Sequence, residues 1–273
     1  MRILLFAATL VAGCVALPLP RESTFHSSDA DLTAVRIVHG SLVLELAKTR
    51  VLVDPWFHSS LTTRQTEPLG LIPEHLPDAS AVLLTHRHEG HFDPDALAEI
   101  AKKVPRAIAP PSLADALRKL GFKDVTPLDW WDHTDVGPIT VTAVPTNHAV
   151  RENGYVVATD RVTAYVAGDT RYFDGMVDIA TAFPKLDVAF LPIGGERMLG
   201  FQRTMGPTLA AKAAALLKPR RVVPIGYGAA GGEPLVWYSS TPVERFVEAA
   251  KAAGFPAEHI VVLEPGESWH YFR

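Results

Sequence analysis

The stretch that decides the fold is Thr85-His86-Arg87-His88-Glu89-Gly90-His91-Phe92-Asp93, which places three histidines within six residues. It follows a short apolar run at 81–84 that is typical of a buried strand, and the Asp93-Pro94 pair is typical of a helix start. Two histidines separated by one residue can chelate a single cation, and neutral imidazole is the usual biological ligand for zinc-like metals. The stretch therefore predicts a metal site at a strand end, with a solvated histidine-rich loop as the alternative.

Composition and charge limit the classes to which the chain can belong. Its 273 residues are 48% hydrophobic and 21% charged, which fits one large globular domain or two small ones. The formal net charge is -4, so the basic surface expected of a nucleic-acid binder is missing. We therefore expect no nucleic-acid partner, and nuclease activity is a weak alternative.

The N-terminus is typical of an export signal with a lipid attachment site. Met1-Arg2 precedes an apolar run at 3–12, and Val11-Ala12-Gly13-Cys14 resembles a bacterial lipobox, in which the cysteine is lipidated and becomes the first mature residue. The run is too short to span a hydrocarbon core about 30 Å thick. The pattern predicts a signal peptide at 1–13 and an exported protein held at a membrane of the bacterial cell envelope by lipid on Cys14. A plain secretory signal and an uncleaved N-terminal strand are the alternatives.

Patterning along the rest of the chain predicts a tether at 14–32 and a folded domain at 33–273. Short apolar or alternating runs come first, and strands then alternate with helices. The predicted strands are 35–38, 42–46, 51–54, 81–84, 139–144, 154–159, 162–167, 188–192, 221–225 and 259–263. The predicted helices are 94 to about 103, 112–120, 207–217 and 242–253. This order favours a layered α/β architecture with sheets inside and helices outside.

The histidine loop resembles the HxHxDH signature of the metallo-β-lactamase superfamily, and further landmarks of that family follow in order. They are Val38-His39-Gly40-Ser41, Leu52-Val53-Asp54-Pro55, Pro145-Thr146-Asn147-His148, Ala167-Gly168-Asp169-Thr170, Leu191-Pro192-Ile193-Gly194, Met205-Gly206-Pro207-Thr208 and Pro224-Ile225-Gly226-Tyr227-Gly228. The resemblance implies the family's four-layer αβ/βα sandwich from about 35 to the C-terminus. It looks closest to the branch with L-ascorbate-6-phosphate lactonase and N-acyl-phosphatidylethanolamine phospholipase D.

The same resemblance implies a first metal position at His86, His88 and His148, with Asp169 as the carboxylate that bridges to a second position. Three nitrogens and one oxygen, with space for water, are what a catalytic zinc requires. We therefore expect one tightly bound Zn²⁺ ion, with Mn²⁺ or Fe as alternatives.

The second metal position departs from the family pattern. Gly90 stands where the signature has its aspartate, and Gly226 stands where the family has a late histidine, so only His91 and the shared Asp169 remain. Two protein ligands hold a divalent ion poorly, so we expect a second ion to be weak or absent. Glu89 is the obvious substitute, but it is shifted by one residue along the loop.

Other polar residues have ordinary explanations beside functional ones. Asp93 is expected to cap a helix, whereas Asp54 fits either turn chemistry or a contact with a ligand histidine. For His39 we expect a buried, hydrogen-bonded role in preference to ligation. Aromatic residues could wall an apolar substrate pocket or pack loops; they are Trp56, Phe57, Phe201, Trp237 and Tyr238. Glu196, Arg197 and Arg203 follow a predicted strand, and the two arginines could hold an anionic substrate or be solvated surface charges.

These expectations combine into an exported, lipid-anchored hydrolase that uses a metal-activated water. His91 and Asp169 are the catalytic candidates, and His91 would either bind a weak second metal or act on protons. The resemblance implies a phosphodiester or a lactone as substrate, either a small molecule or a lipid. The alternative is a catalytically impaired lipoprotein of the same fold that acts in binding or scaffolding, which Gly90 and Gly226 favour.

Overall fold

The structure is a computed structural model that describes residues 23–60, 62–231 and 235–273. The predicted signal peptide, Cys14 and residues 14–22 of the predicted tether lie outside these ranges. In the described part of the tether, Asp31 N donates a hydrogen bond to Tyr271 O at 2.9 Å, and Ser28 Oγ lies 3.0 Å from His270 Nδ1. The chain therefore contacts the domain before its first strand begins at Leu32. Across the described ranges, no helix combines the length and hydropathy needed to cross a bilayer.

The described residues form strands, helices and short 3₁₀ turns. The strands are β1 Leu32–Val38, β2 Ser41–Leu46, β3 Thr49–Val53, β4 Thr63–Gln65, β5 Ala81–Leu83, β6 Arg106–Ala109, β7 Asp124–Pro127, β8 His133–Val136, β9 Ile139–Val144, β10 Gly154–Ala158, β11 Thr163–Val166, β12 Val188–Pro192, β13 Arg197–Met198, β14 Phe201–Gln202, β15 Arg221–Ile225, β16 Ala229–Gly231, β17 Val236–Trp237 and β18 Ser268–Tyr271. The helices are α1 Pro94–Ile100, α2 Ala114–Lys119, α3 Met176–Ala182, α4 Pro207–Leu217 and α5 Pro242–Ala252. The 3₁₀ turns are Pro73–His75, Pro111–Leu113 and Ala257–His259.

Two large sheets pack face to face. The first has the order β18-β1-β2-β3-β5-β6-β7, and the second has the order β15-β12-β11-β10-β9-β8. Their inner faces share one apolar cluster, to which the first sheet contributes Leu44 and Val53 and the second contributes Tyr155 and Phe190. Two small sheets, β14-β13-β17 and β16-β4, lie in the connections.

Helices cover the outer face of each large sheet. The first sheet is covered by α1 and α2 through Leu97 and Leu117. The second is covered by α3, α4 and α5 through Ile179, Ala214 and Phe246. The result is a helix layer, two sheets and a second helix layer, which confirms the predicted four-layer αβ/βα sandwich.

Most of the predicted elements are present, one predicted strand is not, and several observed elements were not predicted. The strands Val188–Pro192 and Arg221–Ile225 and the helix Pro207–Leu217 have the predicted bounds. The predicted strand at 259–263 is wrong, because this segment makes only an isolated bridge, between Val222 and Ile260, after a 3₁₀ turn. Asp93 caps α1 as predicted, since its side chain accepts a hydrogen bond from Ala96 N.

The topology brings the carboxyl ends of several strands to one edge of the sandwich. β3 pairs in parallel with β5, and β11, β12 and β15 are also parallel. The turns that follow β3, β5, β11 and β15 carry Asp54, His86, Asp169 and Gly226 respectively. Ligand sites in α/β sheets form where the carboxyl ends of strands meet, so this edge is where a functional site is expected.

Candidate metal centre

Three histidines from two separate loops converge on one point at this edge. His86 and His88 follow β5, whereas His148 follows β9, and their ligand nitrogens all lie within 4.8 Å of one another. His88 Nδ1 lies 2.8 Å from His148 Nε2. His86 Nε2 is buried without a hydrogen-bond partner in the described part of the chain, and it lies 4.0 Å from Asp169 Oδ2. The residues that the sequence assigned to the first metal position are thus brought together.

The surroundings of these imidazoles favour their neutral form. Burial, followed by the nearby His91, lowers the pKa of His86 well below its usual 6.5. Burial, followed by His86, lowers the pKa of His88 to about 3. A histidine must be neutral to offer a nitrogen lone pair to a metal, so both rings are in the state that a ligand needs. The unpartnered His86 nitrogen and this donor set fit a divalent cation.

A second cluster adjoins the first and consists of His39, His91 and Asp169. Their ligand atoms also lie within 4.8 Å of one another. His91 Nε2 lies 3.2 Å from Asp169 Oδ2. Burial lowers the pKa of His91, but the carboxylates of Asp169 and Asp54 outweigh this and raise it well above 6.5, so a cation bound at this cluster would displace a proton from His91. Burial raises the pKa of Asp169, yet His91 lowers it more strongly, so this carboxylate is ionised.

A continuous hydrogen-bond network orients the ligand histidines. Asp54 Oδ2 lies 2.8 Å from His91 Nδ1 and accepts a hydrogen bond from Thr85 Oγ1 at 2.6 Å. Thr85 Oγ1 in turn lies 2.9 Å from His86 Nδ1. Of the two roles left open for Asp54, the structure shows contact with His91, and the φ of 43° at Asp54 shows that the turn is also present. Such partners fix the ring orientation of metal-binding histidines.

Glu152 joins the same network and was missed in the sequence. Its Oε1 lies 3.1 Å from His86 Nδ1 and accepts a hydrogen bond from Asp169 N at 2.7 Å. The side chain is fully buried, and burial raises its pKa to about 7. Glu152 precedes β10 as an isolated acidic residue, so no spacing to the histidine loop could have indicated it.

A family model described as a β-lactamase superfamily domain matches residues 49–227. This chain belongs to the metallo-β-lactamase superfamily. A metal-dependent hydrolase of the UPF0173 family from Pyrococcus horikoshii is 31% identical over 239 residues, which cover 84% of this chain and 95% of that relative. The chain is therefore a metal-dependent hydrolase of the metallo-β-lactamase fold.

Solved structures agree with this fold. A putative metal-dependent hydrolase from Parabacteroides distasonis has a TM-score of 0.62 and 27% identity, and the match covers 85% of this chain and 93% of that one. CmlA, a diiron β-hydroxylase from Streptomyces venezuelae, has a TM-score of 0.72 and 18% identity over 90% of this chain and 55% of that one. The second likeness concerns the fold alone.

Glu89 does not replace the missing aspartate of this metallo-β-lactamase-fold hydrolase. Its side chain is exposed and accepts hydrogen bonds from Ser60 Oγ, at 2.6 Å, and from Thr62 Oγ1. These bonds lower the pKa of Glu89, the bond from Ser60 most strongly, and keep its carboxylate on the outer side of the loop.

A cavity of about 470 Å³ lies on the Tyr238 side of His39, and the described residues that line it include no member of either histidine cluster. Arg197, Arg245 and Tyr238 line it, and the Tyr238 ring lies 6.4 Å from the His39 ring, edge to face. Of the aromatic residues considered from the sequence, Trp237 and Tyr238 line this cavity, whereas Trp56 and Phe57 are buried in the core. Arg197 and Arg245 therefore make one wall of this cavity cationic.

Proposed function

We propose that this protein hydrolyses an anionic substrate with a water activated at the centre formed by His86, His88, His148 and Asp169. The observation that carries the proposal is the convergence of three imidazole nitrogens within 4.8 Å beside a buried carboxylate. A divalent cation held there supplies a Lewis acid and lowers the pKa of a water from about 15.7 towards about 7.

The chain's own residues divide the remaining work. Asp169 is ionised and lies between the two clusters, where its oxygens can accept a hydrogen bond from the attacking water and orient it. His91 Nδ1 lies at hydrogen-bond distance from Asp54 Oδ2, so Nε2 is the ring nitrogen left to face the centre. His91 and Asp169 are therefore the proposed catalytic residues.

The cavity favours a phosphodiester over an uncharged lactone. Arg197 and Arg245 place two guanidinium groups in it, and guanidinium binds phosphate oxygens in a bidentate manner. Tyr238 and Trp237 add an apolar wall that suits the organic part of the substrate. An anionic lipid headgroup has this chemistry, as does a soluble phosphodiester.

The test compares two substrate classes on one enzyme. Metal-free protein loaded with Zn²⁺, Mn²⁺ or Fe²⁺ should hydrolyse bis(p-nitrophenyl) phosphate faster than a neutral lactone, and a chelator should stop the reaction. Arg197→Ala and Arg245→Ala should each raise KM for the phosphodiester about tenfold, because each removes a charge-assisted contact. A lactone preference would contradict the substrate class. Absence of turnover with any metal would favour the binding lipoprotein that Gly90 and Gly226 suggest.

We also propose that the protein is exported and held at a membrane through lipid on Cys14. Support comes from the sequence pattern at 1–14 alone. The wild-type protein expressed in a bacterial host should sediment with membranes, and Cys14→Ala should move to the soluble or periplasmic fraction. Membrane association of Cys14→Ala equal to that of the wild type would refute the lipid anchor.

A further inference from the structure

We infer that His39 supplies the ligand that the second metal position lacks, so that His39, His91 and Asp169 hold a second divalent cation. The inference rests on the proposed function, because Asp169 belongs to both positions. It adds ligation to the expected buried, hydrogen-bonded role of His39 and does not need the residues that the family pattern has at 90 and 226.

The three side chains have the placement that ligation requires. Each is at most 3% exposed, and their ligand atoms lie within 4.8 Å of one another. The His39 and His91 rings are 5.2 Å apart, edge to face. His39 Nδ1 is buried and makes no hydrogen bond to any residue that the structure describes. A histidine kept only for packing would be expected to satisfy this nitrogen.

Gly90 leaves the space that the His39 ring occupies. A Cβ atom at position 90 would lie 3.4 Å from His39 Cδ2 and 3.7 Å from His39 Nε2. These are ordinary van der Waals distances, so position 90 packs directly against the imidazole. The φ of 94° at Gly90 further disfavours any residue with a side chain. The position where the family has its aspartate therefore lies next to the His39 ring.

Gly226 is linked to His39 through the backbone. Gly226 N donates a hydrogen bond to His39 O at 3.1 Å. A Cβ atom at 226 would lie 3.0 Å from Pro192 Cβ and 3.8 Å from Asp169 Oδ1, and φ is 69° at this glycine. A histidine at 226 would therefore be strained here, and the residues at both departures from the family pattern contact His39.

The His39 ring is held in a fixed orientation. Its φ of 53° lies in the left-handed region, which side-chain-bearing residues seldom adopt and which recurs at functional sites. The Trp56 ring packs edge to face 5.7 Å away, and Tyr238 packs on another side. A fixed imidazole next to His91 and Asp169 is preorganised for a cation.

The experiment measures metal content, which does not depend on turnover. Metal-free full-length protein is titrated with Zn²⁺ by calorimetry, and bound zinc is counted by elemental analysis after gel filtration. The wild type should bind about two ions per chain and His39→Asn about one. Asparagine is chosen because it tolerates the left-handed backbone. His133→Asn, which changes an exposed histidine on β8, is the matched control and should bind as the wild type does.

Two further measurements distinguish a ligand role of His39 from a structural role. The Tm of metal-free His39→Asn should lie below that of the metal-free wild type, because a buried ring packed on Trp56 is lost. The reading that tests ligation is the rise in Tm on addition of Zn²⁺, which should be smaller in the variant, because a ligand that binds only the folded state stabilises it. His88→Ala should keep about one ion, and the double variant with His39→Asn should keep none.

The outcomes distinguish this inference from the proposed function. If His39→Asn binds as much zinc as the wild type, His39 is not a ligand, and the hydrolase proposal stands. If the wild type binds about one ion, and His88→Ala removes it whereas His39→Asn does not, His39 is again not a ligand and the hydrolase proposal stands. If the wild type binds no ion, the inference and the metal-dependent mechanism both fail.

Discussion

Asp169→Asn should turn over substrate at least about 10³-fold more slowly than the wild type, because a Lewis-acid centre contributes several kcal/mol and about 1.4 kcal/mol is worth a factor of ten. The Asp169 carboxylate lies 4.0 Å from His86 Nε2 and 3.2 Å from His91 Nε2, so one charge serves both clusters. Asparagine keeps the volume but removes the charge and one acceptor. Metal affinity and turnover should therefore fall together.

The measurement is kcat with bis(p-nitrophenyl) phosphate, together with zinc content, on proteins that pass the same gel filtration. Asp187→Asn is the matched control, since Asp187 is also a buried carboxylate and lies at the opposite end of the same sheet. It accepts hydrogen bonds from Thr163 N and Tyr271 Oη at 3.0 and 3.1 Å, so its loss should lower the free energy of unfolding without changing the zinc content. Wild-type turnover by Asp169→Asn would refute the assigned role.

Part of the candidate first metal position could be inferred from the sequence because its signal is local. The spacing of His86 and His88 at the end of a buried strand limits what the loop can bind, whatever the rest of the chain does. His148 and Asp169 could be assigned only through a family resemblance, since each lies in a separate loop. The structure brings all four side chains together because parallel strands end at the same edge.

The second position could not be predicted because its evidence is tertiary. In the sequence, His39 is a lone histidine after an apolar run, and Gly90 appears only as a lost ligand. The connection between them is a distance of 3.4 Å from the place of a missing Cβ to the His39 ring, which no spacing encodes. Glu152 was missed for the same reason, since its partner His86 lies on another loop.

Secondary-structure elements were likewise predicted where their signal is local and missed where it is weak or tertiary. Strands with continuous apolar runs, such as Val188–Pro192, were predicted to the residue, because they are buried on both faces. The helix Met176–Ala182 was missed, since it is short and has no side-chain cap. β18 was also missed, and it exists because Ser268–Tyr271 pairs with β1 from the other end of the chain.

The metal centre is built as one unit. Hydrogen bonds run from His91 through Asp54 and Thr85 to His86, and Glu152 closes the path to Asp169. A change at either end should therefore be felt at both clusters.

Glu152→Gln should weaken zinc binding about 10- to 100-fold, which is the usual effect of removing a partner that orients a metal ligand. The carboxylate accepts from Asp169 N at 2.7 Å and lies 3.1 Å from His86 Nδ1, so it fixes one ligand from each cluster. A glutamine that presents its oxygen to Asp169 N keeps that contact but loses the carboxylate that, when ionised above its pKa of about 7, favours an Nδ1 proton on His86 and leaves Nε2 as the free ligand atom.

Calorimetric titration with Zn²⁺ measures this effect, and Glu45→Gln is its control. Glu45 lies on β2 and is 3% exposed, and its Oε2 lies 2.7 Å from Nε of Arg50 on β3. Its replacement therefore removes a buried charge that touches none of the candidate ligand histidines. Glu45→Gln should lower the free energy of unfolding in urea but leave zinc affinity unchanged. Equal zinc affinities for Glu152→Gln and the wild type would show that His86 is oriented by Thr85 alone, since Thr85 Oγ1 is its other partner at 2.9 Å.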